Sequence, residues 1–273
     1  MKKSVYKAVG CTALLGAGIA AGMAYAWLGH PFRNGQPAFL YVYPGDGLEQ
    51  VEARLKEIAN PSCTWGLTLS DKLLGLSDKL RTGRYEVTSD MNMLTLVRRL
   101  MNHAQTPVNL VIPSVRTVQD MAGRIGGKLM ADSAALADIL TDSVACAELG
   151  YTTATVPALF IPNTYQVYWD ISIEDFLKRL EKENQAFWTA ERQAKAKALG
   201  MSREEVVTLA SIVDSETANN AEKPRIAGLY LNRLKAGMPL QSDPTVVFAV
   251  GDFSLRRILR KHLTVDSPYN TYI

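Results

Sequence analysis

Two carboxylates lie inside an otherwise apolar stretch near the C-terminal end of the chain, in the run Ser211-Ile212-Val213-Asp214-Ser215-Glu216-Thr217. A helical period places Glu216 in the same sector as Val213 and Ile212, and Asp214 at the edge of that sector. Burial on an apolar face disfavours the charged form of a carboxylate, which can then hold a proton near neutral pH. Glu216 is therefore a candidate general acid, with Asp214 as a residue that tunes it. The alternative is a solvated glutamate or a salt-bridge partner.

A helix is needed to position these carboxylates, and a start signal for one lies upstream. Ser202 is followed by Glu205, the spacing of a capping box, in which each side chain accepts a hydrogen bond from the other residue's backbone amide. Apolar residues then recur on one face, at Val206, Leu209, Ile212 and Val213. The sequence therefore predicts a helix that begins after Ser202 and carries Glu216 near its end.

Three further motifs follow in order. A helix is predicted over Glu222–Lys235, ended by Gly237, and it contains Asn232-Arg233-Leu234. The other two motifs are Leu240-Gln241-Ser242-Asp243-Pro244-Thr245-Val246 and Ser267-Pro268-Tyr269-Asn270-Thr271-Tyr272. Together with the carboxylate run, these motifs resemble the endolytic murein transglycosylase family. The resemblance extends from the N-terminal apolar segment to Ile273 and is strongest after Thr208.

The resemblance implies roles for individual residues. Glu216 matches the catalytic glutamate of the family. Gln241, Ser242 and Asn270 are candidates to position sugar hydroxyls or the acetamido group through hydrogen bonds. Asp243 is grouped with them, either organising its loop or tuning the charge near Glu216. The alternative role for all four is turn formation, since Ser-Asp-Pro and Pro-Tyr-Asn favour turns.

An aromatic-rich stretch over residues 157–169 supplies a further candidate. Tyr165 is expected to stack on a sugar ring, because a pyranose presents apolar C–H faces, although core packing is the commoner role of such a residue. The chain departs from the family in carrying Asp214 where a glutamate is usual and Asn163 where an acidic residue is frequent. Family members also continue past the Tyr-Asn-Thr-Tyr motif, so a truncated C-terminus at Ile273 is expected.

The implied reaction needs only one well-placed carboxylate. A hydrolytic glycosidase uses two, whereas a lytic transglycosylase lets the C6 hydroxyl of N-acetylmuramic acid close on C1 and form a 1,6-anhydro end. Cleavage is expected within peptidoglycan glycan strands, at the MurNAc-GlcNAc β-1,4 bond, with Glu216 as acid and then base. Two alternatives stay open. One is a lysozyme-like hydrolase in which Asp214 or Asp243 activates water, and the other is a non-catalytic peptidoglycan-binding partner of the synthesis machinery.

The N-terminal region has the pattern of a single membrane span. Lys2, Lys3 and Lys7 precede an uncharged stretch over residues 8–28, whose length of about 20 residues matches one bilayer crossing. The positive-inside rule places residues 1–7 in the cytoplasm and the body on the periplasmic side of the inner membrane. The alternative is a cleaved signal peptide that ends at Ala24-Tyr25-Ala26.

Composition excludes several other classes of function. A net charge of +3 and the lack of a basic cluster with interleaved aromatics give no indication of nucleic-acid binding. The three histidines lack metal-ligand spacing, and no phosphate-binding loop occurs, so neither a metal nor a cofactor is expected. The three cysteines are Cys11, Cys63 and Cys146. A Cys63–Cys146 disulfide or two buried thiols both fit the sequence.

Alternating strand and helix patterns predict an α+β protein. A linker is expected over residues 29–37, followed over 38–106 by a subdomain that the resemblance identifies as LysM-like, and over 107–273 by the catalytic domain. Strands are predicted at 39–43, 83–87 and 108–112, and helices at 48–59, 66–74, 93–102, 117–130 and 133–140. Residues 173–199 are predicted to form one long, highly charged helical stretch. Peptidoglycan synthases are the expected protein partners.

Overall fold

The computed structural model describes residues 16, 18, 21–22, 29–32, 35–59 and 65–273. The chain is α+β and divides into two compact units. The first unit contains the chain up to Leu110 together with residues 128–130 and 165–171. The second contains residues 111–127, 131–164 and 172–273. The division falls close to residue 107, where the sequence suggests a boundary, but the first unit also takes in the two later segments.

The first unit is built on an antiparallel pair of strands, β1 and β2. Its elements are β1 (Ala38–Val42), α1 (Leu48–Ile58), α2 (Trp65–Leu74), α3 (Leu76–Lys79), β2 (Gly83–Val87) and α4 (Met93–Met101). The two strands pair from Ala38 opposite Val87 to Val42 opposite Gly83. Alternate residues of β2 are buried, because side chains of a strand point to opposite faces in turn. The core includes Leu40, Leu55, Tyr85 and Leu96.

Part of the expected linker belongs to this core. Phe32 is fully buried among the core residues of the first unit, and its backbone N–H donates to the carbonyl of Met91 at 2.9 Å. Pro31 also forms an isolated bridge with Asn92. Residues 31–32 of the expected linker are therefore packed against the first unit.

The second unit is mainly helical. Its helices are α5 (Val118–Gly126), α6 (Ser133–Thr141), α7 (Ser143–Glu148), α8 (Ile173–Phe187), α9 (Ala190–Ala198), α10 (Arg203–Glu216), α11 (Lys223–Lys235) and α12 (Asp243–Val250). Strands β3 (Val108–Ile112) and β4 (Asn163–Val167) form a two-stranded sheet, and the boundary between the two units crosses both strands. Single 3-10 turns occur at Val156–Leu159 and Arg260–His262. The predicted strands and most predicted helices are confirmed to within a few residues.

The stretch from Ile173 to Leu199 is two helices and not one. Helix α8 ends at Phe187, Trp188 is buried, and the hydroxyl of Thr189 accepts a hydrogen bond from the backbone N–H of Arg192. Threonine in this position satisfies one of the backbone amides that a new helix leaves unpaired. The high helix propensity of the flanking charged residues concealed this break.

Helix α12 is absent from the sequence prediction, in which turn formation is the alternative role of Ser242-Asp243-Pro244. These residues instead begin the helix, with Ser242 at the N-cap and the proline in the first turn. Proline is tolerated there because the first-turn amides have no partner within the helix. The local turn signal was thus the start signal of a helix.

Most of the predicted membrane segment, residues 8–28, lies outside the described residues. Among those that are described, no helix is both long and apolar enough to cross a membrane. Cys11 and Cys63 also lie outside the described ranges. Cys146 is a buried free thiol, and burial raises its pKa.

Candidate active site

Helix α10 delivers Glu216 to the site. The predicted capping box is confirmed, since Ser202 Oγ accepts from the Glu205 amide at 3.1 Å and Glu205 Oε2 accepts from the Ser202 amide at 2.7 Å. Leu209 and Val213 are buried in one cluster with Tyr230 of α11. The cap fixes where the helix begins, the apolar face fixes its orientation, and Glu216 is its last residue.

Two hydroxyl groups from other elements hold the Glu216 carboxylate. Tyr230 of α11 donates to Glu216 Oε2 at 3.2 Å, and Ser242 at the start of α12 donates to the same oxygen at 3.0 Å. Tyr230 is 4% exposed and Ser242 is 1% exposed. Burial raises the pKa of Tyr230, so its hydroxyl keeps its proton and remains a donor. Three helices therefore converge on one carboxylate oxygen.

Glu216 itself is exposed, and the expectation that its carboxylate is desolvated on an apolar face is wrong. The buried face of α10 ends at Val213, one turn earlier, and the backbone leaves the helix at Thr217. The two hydroxyl donors, Tyr230 and Ser242, are buried, whereas the acceptor, Glu216, is exposed. The site thus presents to solvent a carboxylate that two buried hydroxyl groups hold in place.

Ser242 departs from the usual behaviour of a serine at a helix start. A serine N-cap normally accepts a hydrogen bond from an amide of its own first turn. Within the described part of the chain, the Ser242 hydroxyl makes no such bond and donates to Glu216 instead. Its backbone N–H donates to Thr271 Oγ1 at 3.0 Å, so the residue is fixed from both sides.

Gln241 and Asp243 flank Ser242, and both have partners. Gln241 has a φ of 55°, in the left-handed region that residues other than glycine rarely adopt, and its Oε1 accepts from Arg233 Nη2 at 2.5 Å. Such strain is frequent where a chain must present particular side chains at a functional site. Asp243 accepts from the Tyr272 hydroxyl at 2.5 Å, and this hydrogen bond, with burial, raises the pKa of Tyr272 to about 12.

Asn270 is buried and uses its amide inside its own loop. Its Nδ2 donates to the carbonyls of Leu263 and Val265 at 3.0 and 2.9 Å, and its Oδ1 accepts from the Tyr272 amide at 3.1 Å. These contacts fit the turn-forming alternative better than direct contact with a sugar. The loop that Asn270 organises delivers Thr271 to Ser242.

Asp214 pairs with Lys223 at the start of α11, at 2.6 Å. This bond, with a second hydrogen bond from Ser114, lowers the pKa of Asp214 below its ordinary value, so the group is ionised at neutral pH. Asp214 therefore links α10 to α11 beside the site.

Tyr165 is not gathered with the other candidates. Its ring is 3% exposed in β4, and the residue belongs to the first compact unit, whereas Glu216 belongs to the second. A ring this buried leaves little face for a sugar to stack on. Asn163, at the start of the same strand, is exposed.

The sequence prediction missed Tyr230, Thr271 and Tyr272 as parts of the site. Tyr230 lies on the buried face of a helix, where an aromatic residue reads as core. A usable signal was present, because a buried tyrosine hydroxyl needs a hydrogen-bond partner. Among the described residues, no group of three or more histidine, cysteine or acidic side chains is arranged to hold a metal ion.

The sequence pattern of the YceG-like family matches residues 40–273, a range that includes every residue of this site. The chain belongs to the YceG-like family. Among its relatives, the endolytic murein transglycosylase of Bacillus subtilis (strain 168) is 39% identical over 103 residues, which are 38% of this chain and 28% of that protein. The endolytic murein transglycosylase of Streptococcus pneumoniae serotype 2 is 26% identical over 228 residues, covering 71% of this chain and 40% of that protein. This YceG-like chain therefore spans less than half the length of either relative.

A solved structure of the same family supports the fold. The crystal structure of a YceG-like protein from Listeria monocytogenes has a TM-score of 0.55 with this chain at 24% identity. The similarity covers 87% of this chain and 83% of that one. At this level of identity, the likeness establishes the fold alone.

Proposed function

We propose that this YceG-like chain is a membrane-anchored endolytic lytic transglycosylase of peptidoglycan. It cleaves the MurNAc-GlcNAc β-1,4 bond within glycan strands and leaves 1,6-anhydro-MurNAc ends. The names of its relatives support the substrate class. The observation that carries the proposal is the exposed Glu216 carboxylate, held at one oxygen by the buried hydroxyls of Tyr230 and Ser242.

In the first step, Glu216 acts as a general acid. Oε2 already accepts two hydrogen bonds, so the transferable proton sits on Oε1, which among the described residues has no hydrogen-bond partner. The proton passes to the glycosidic oxygen, and the bond from that oxygen to C1 of MurNAc breaks.

In the second step, the same group acts as a base. The carboxylate left by proton transfer is stabilised at Oε2 by Tyr230 and Ser242. It removes the proton from the C6 hydroxyl of the same MurNAc residue as O6 bonds to C1. The leaving strand carries the first proton as a free hydroxyl, Glu216 regains the second, and no water is consumed. The intramolecular nucleophile needs no second carboxylate.

The other nearby carboxylates favour this reaction over hydrolysis. A lysozyme-like hydrolase needs a second carboxylate free to activate water or to attack C1. Asp214 is bound by Lys223, and Asp243 accepts the hydroxyl of Tyr272. Both are committed to contacts between protein elements, which leaves Glu216 as the acid-base group.

The setting of the enzyme is also part of the proposal. The lysines at positions 2, 3 and 7 and the uncharged residues 8–28 support a single-pass anchor in the inner membrane. With the N-terminus in the cytoplasm, the site faces the periplasmic side, where the glycan strands lie. Cleavage there would end the elongation of nascent strands, which makes peptidoglycan synthases the expected partners.

The direct test is release of soluble fragments from purified sacculi by the full chain in detergent. Glu216→Gln keeps the size of the side chain and loses the acid, so we expect release to fall by about a thousandfold. Asp214→Asn should have a smaller effect, because that residue connects two helices and is not the proton donor. Glu222→Gln is the matched control, since Glu222 is bonded to Thr217 and Asn219 and should retain activity.

Circular dichroism of each variant separates loss of chemistry from loss of folding. Release by Glu216→Gln at the wild-type rate would refute the assignment of that residue. A folded wild type that binds sacculi and releases nothing would instead favour a non-catalytic binding partner.

A further inference from the structure

An exposed aromatic cluster lies in the second unit, made of Phe248, Phe253 and Tyr269. Their exposed fractions are 37%, 38% and 46%, whereas Phe160, Phe176 and Trp188 of the same unit are nearly fully buried. The Phe248 ring lies 4.8 Å from the Tyr269 ring and 6.1 Å from the Phe253 ring, measured between centroids. Contiguous exposed apolar side chains of this kind mark binding surfaces more often than single exposed residues do.

The cluster is joined directly to the Glu216 site. Helix α12 begins beside Ser242, and the segment 269–272 runs along it: Tyr272 bonds Asp243, Thr271 bonds Thr245 at 2.8 Å, and Tyr269 packs on Phe248. Phe248 follows Asp243 by five positions, which is about 7.5 Å along a helix. The same two elements thus carry the support of the carboxylate at one end and the aromatic rings at the other.

We propose that Phe248, Phe253 and Tyr269 form a subsite that binds an N-acetylhexosamine ring of the glycan strand to one side of the cleaved bond. The inference rests on the proposed function. A β-linked hexosamine exposes an apolar face of C–H groups, which an aromatic ring can cover while the sugar hydroxyls stay in water. Arg116 supports the cluster, because its guanidinium lies 5.3 Å from the Phe253 ring centroid.

An aromatic subsite would supply the energy for binding the glycan strand, which the exposed region around Glu216 does not supply by itself. Glu216 is exposed, and its own hydrogen bonds go to protein groups. An enzyme that cuts within a polymer must instead hold the strand at positions away from the reacting bond. The rings of Phe248, Phe253 and Tyr269 supply such a position.

The test is the Phe253→Leu variant, which keeps an apolar side chain and removes the ring. The full chain in detergent should show a KM for peptide-free glycan strands raised about tenfold, with kcat at saturation nearly unchanged. Phe253→Trp retains an aromatic ring and should have the wild-type KM. Tyr168→Leu removes an exposed aromatic ring from the first unit and should leave KM as in the wild type.

A binding measurement separates this inference from the proposed function. In the Glu216→Gln background, Phe253→Leu should weaken the Kd for the same strands about tenfold, whether or not the parent protein cleaves them. If Phe253→Leu changed neither Kd nor KM, the subsite would be overturned and the proposed function would stand. Absence of any strand binding by the Glu216→Gln parent would also overturn the subsite. An unchanged Kd with reduced self-association in sedimentation would overturn it in favour of a contact between copies of the chain.

Discussion

At the scale of single residues, Ser242 shows how the site uses a group that its own helix would ordinarily use. The hydroxyl of an N-cap serine is well placed to satisfy first-turn amides. In α12 it donates to Glu216 instead, while the hydroxyl of Thr245 in that first turn donates to the Ser242 carbonyl at 2.6 Å. Because the Ser242 hydroxyl does not cap its own helix, we infer that its role is to hold the Glu216 carboxylate.

This interpretation predicts that Ser242→Ala lowers kcat with little loss of stability. Removing one of two donors to the Glu216 carboxylate should reduce kcat about tenfold to a hundredfold, because the hydrogen bond is made to a charged group in the second step. Steady-state kinetics on glycan strands measures the change, and urea denaturation measures the free energy of unfolding.

Ser202→Ala is the matched control, since Ser202 does cap its helix. It should lower the free energy of unfolding by about 1 kcal/mol and leave kcat near the wild-type value. If Ser242→Ala destabilised the chain as much as Ser202→Ala and left kcat unchanged, Ser242 would be an ordinary cap.

The sequence indicated Glu216 and Ser242 as candidates, and the structure brings their side chains into contact, but their geometry could not be predicted. Helical periodicity placed Glu216 in the sector of Val213. Periodicity does not show how far along the helix the neighbouring elements bury that sector. Tyr230, Thr271 and Tyr272 reach the site through contacts between segments that are distant along the chain. Tertiary contacts of this kind leave only the general signal that a buried hydroxyl needs a partner.

At the scale of elements, local signals served well where they concerned one element at a time. The capping box of α10, the glycine after α11 and the strand over residues 83–87 all appear in the structure as predicted. The predictions failed at the break between α8 and α9 and at the start of α12. In both places the local sequence is compatible with two conformations. Burial of Trp188 accompanies the break between α8 and α9, and Ser242 is the N-cap with which α12 begins.

Helix α5 offers a paired test of packing, because two glycines in it have different surroundings. A Cβ at Gly126 would lie 2.7 Å from Ser133 Cβ of α6 and 3.1 Å from the Ser133 backbone, whereas a Cβ at Gly123 meets nothing within 4 Å. Gly126→Ala should therefore lower the free energy of unfolding by about 1 to 3 kcal/mol. Gly123→Ala should raise it by up to about 1 kcal/mol, since alanine favours a helix interior.

Thermal and urea denaturation of the two variants would measure these changes. Equal effects of the two substitutions would mean that α5 and α6 do not pack as closely at Gly126 as the structure indicates.

The turn between β1 and α1 contains an ion pair whose contribution should depend on pH. Asp46 accepts two hydrogen bonds from Arg54, one of them from Nη2 at 3.1 Å, and this pairing lowers the pKa of Asp46. A carboxyl group with a lowered folded-state pKa stabilises the fold above its unfolded pKa of about 3.9 and loses that contribution as pH falls through the folded value. Asp46→Asn should lower the free energy of unfolding by about 1 kcal/mol at neutral pH.

Urea denaturation tests this expectation by measuring the free energy of unfolding of the wild type and of Asp46→Asn. It is done at neutral pH and again at a pH well below about 3.9, the unfolded-state pKa of an aspartate. The difference between the two proteins should shrink at the acidic pH. A difference that stayed constant would show that the loss arises from packing and not from the ionised pair.

At the scale of the whole molecule, the residues that surround Glu216 belong to one compact unit. Helices α10, α11 and α12 and the segment 269–272 all lie in the second unit. The first unit has its own strand pair and its own core. The chemistry we propose is therefore assembled within a single unit.

The central claim is that bond cleavage uses the C6 hydroxyl of the substrate and a single acid-base residue. Mass spectrometry of fragments released from sacculi by the full chain, in water enriched with heavy oxygen, tests it most directly. We predict 1,6-anhydro ends that contain no heavy oxygen, and no such fragments from Glu216→Gln. Reducing ends labelled with heavy oxygen would contradict the account, because water would then be the nucleophile and a second carboxylate would have to activate it.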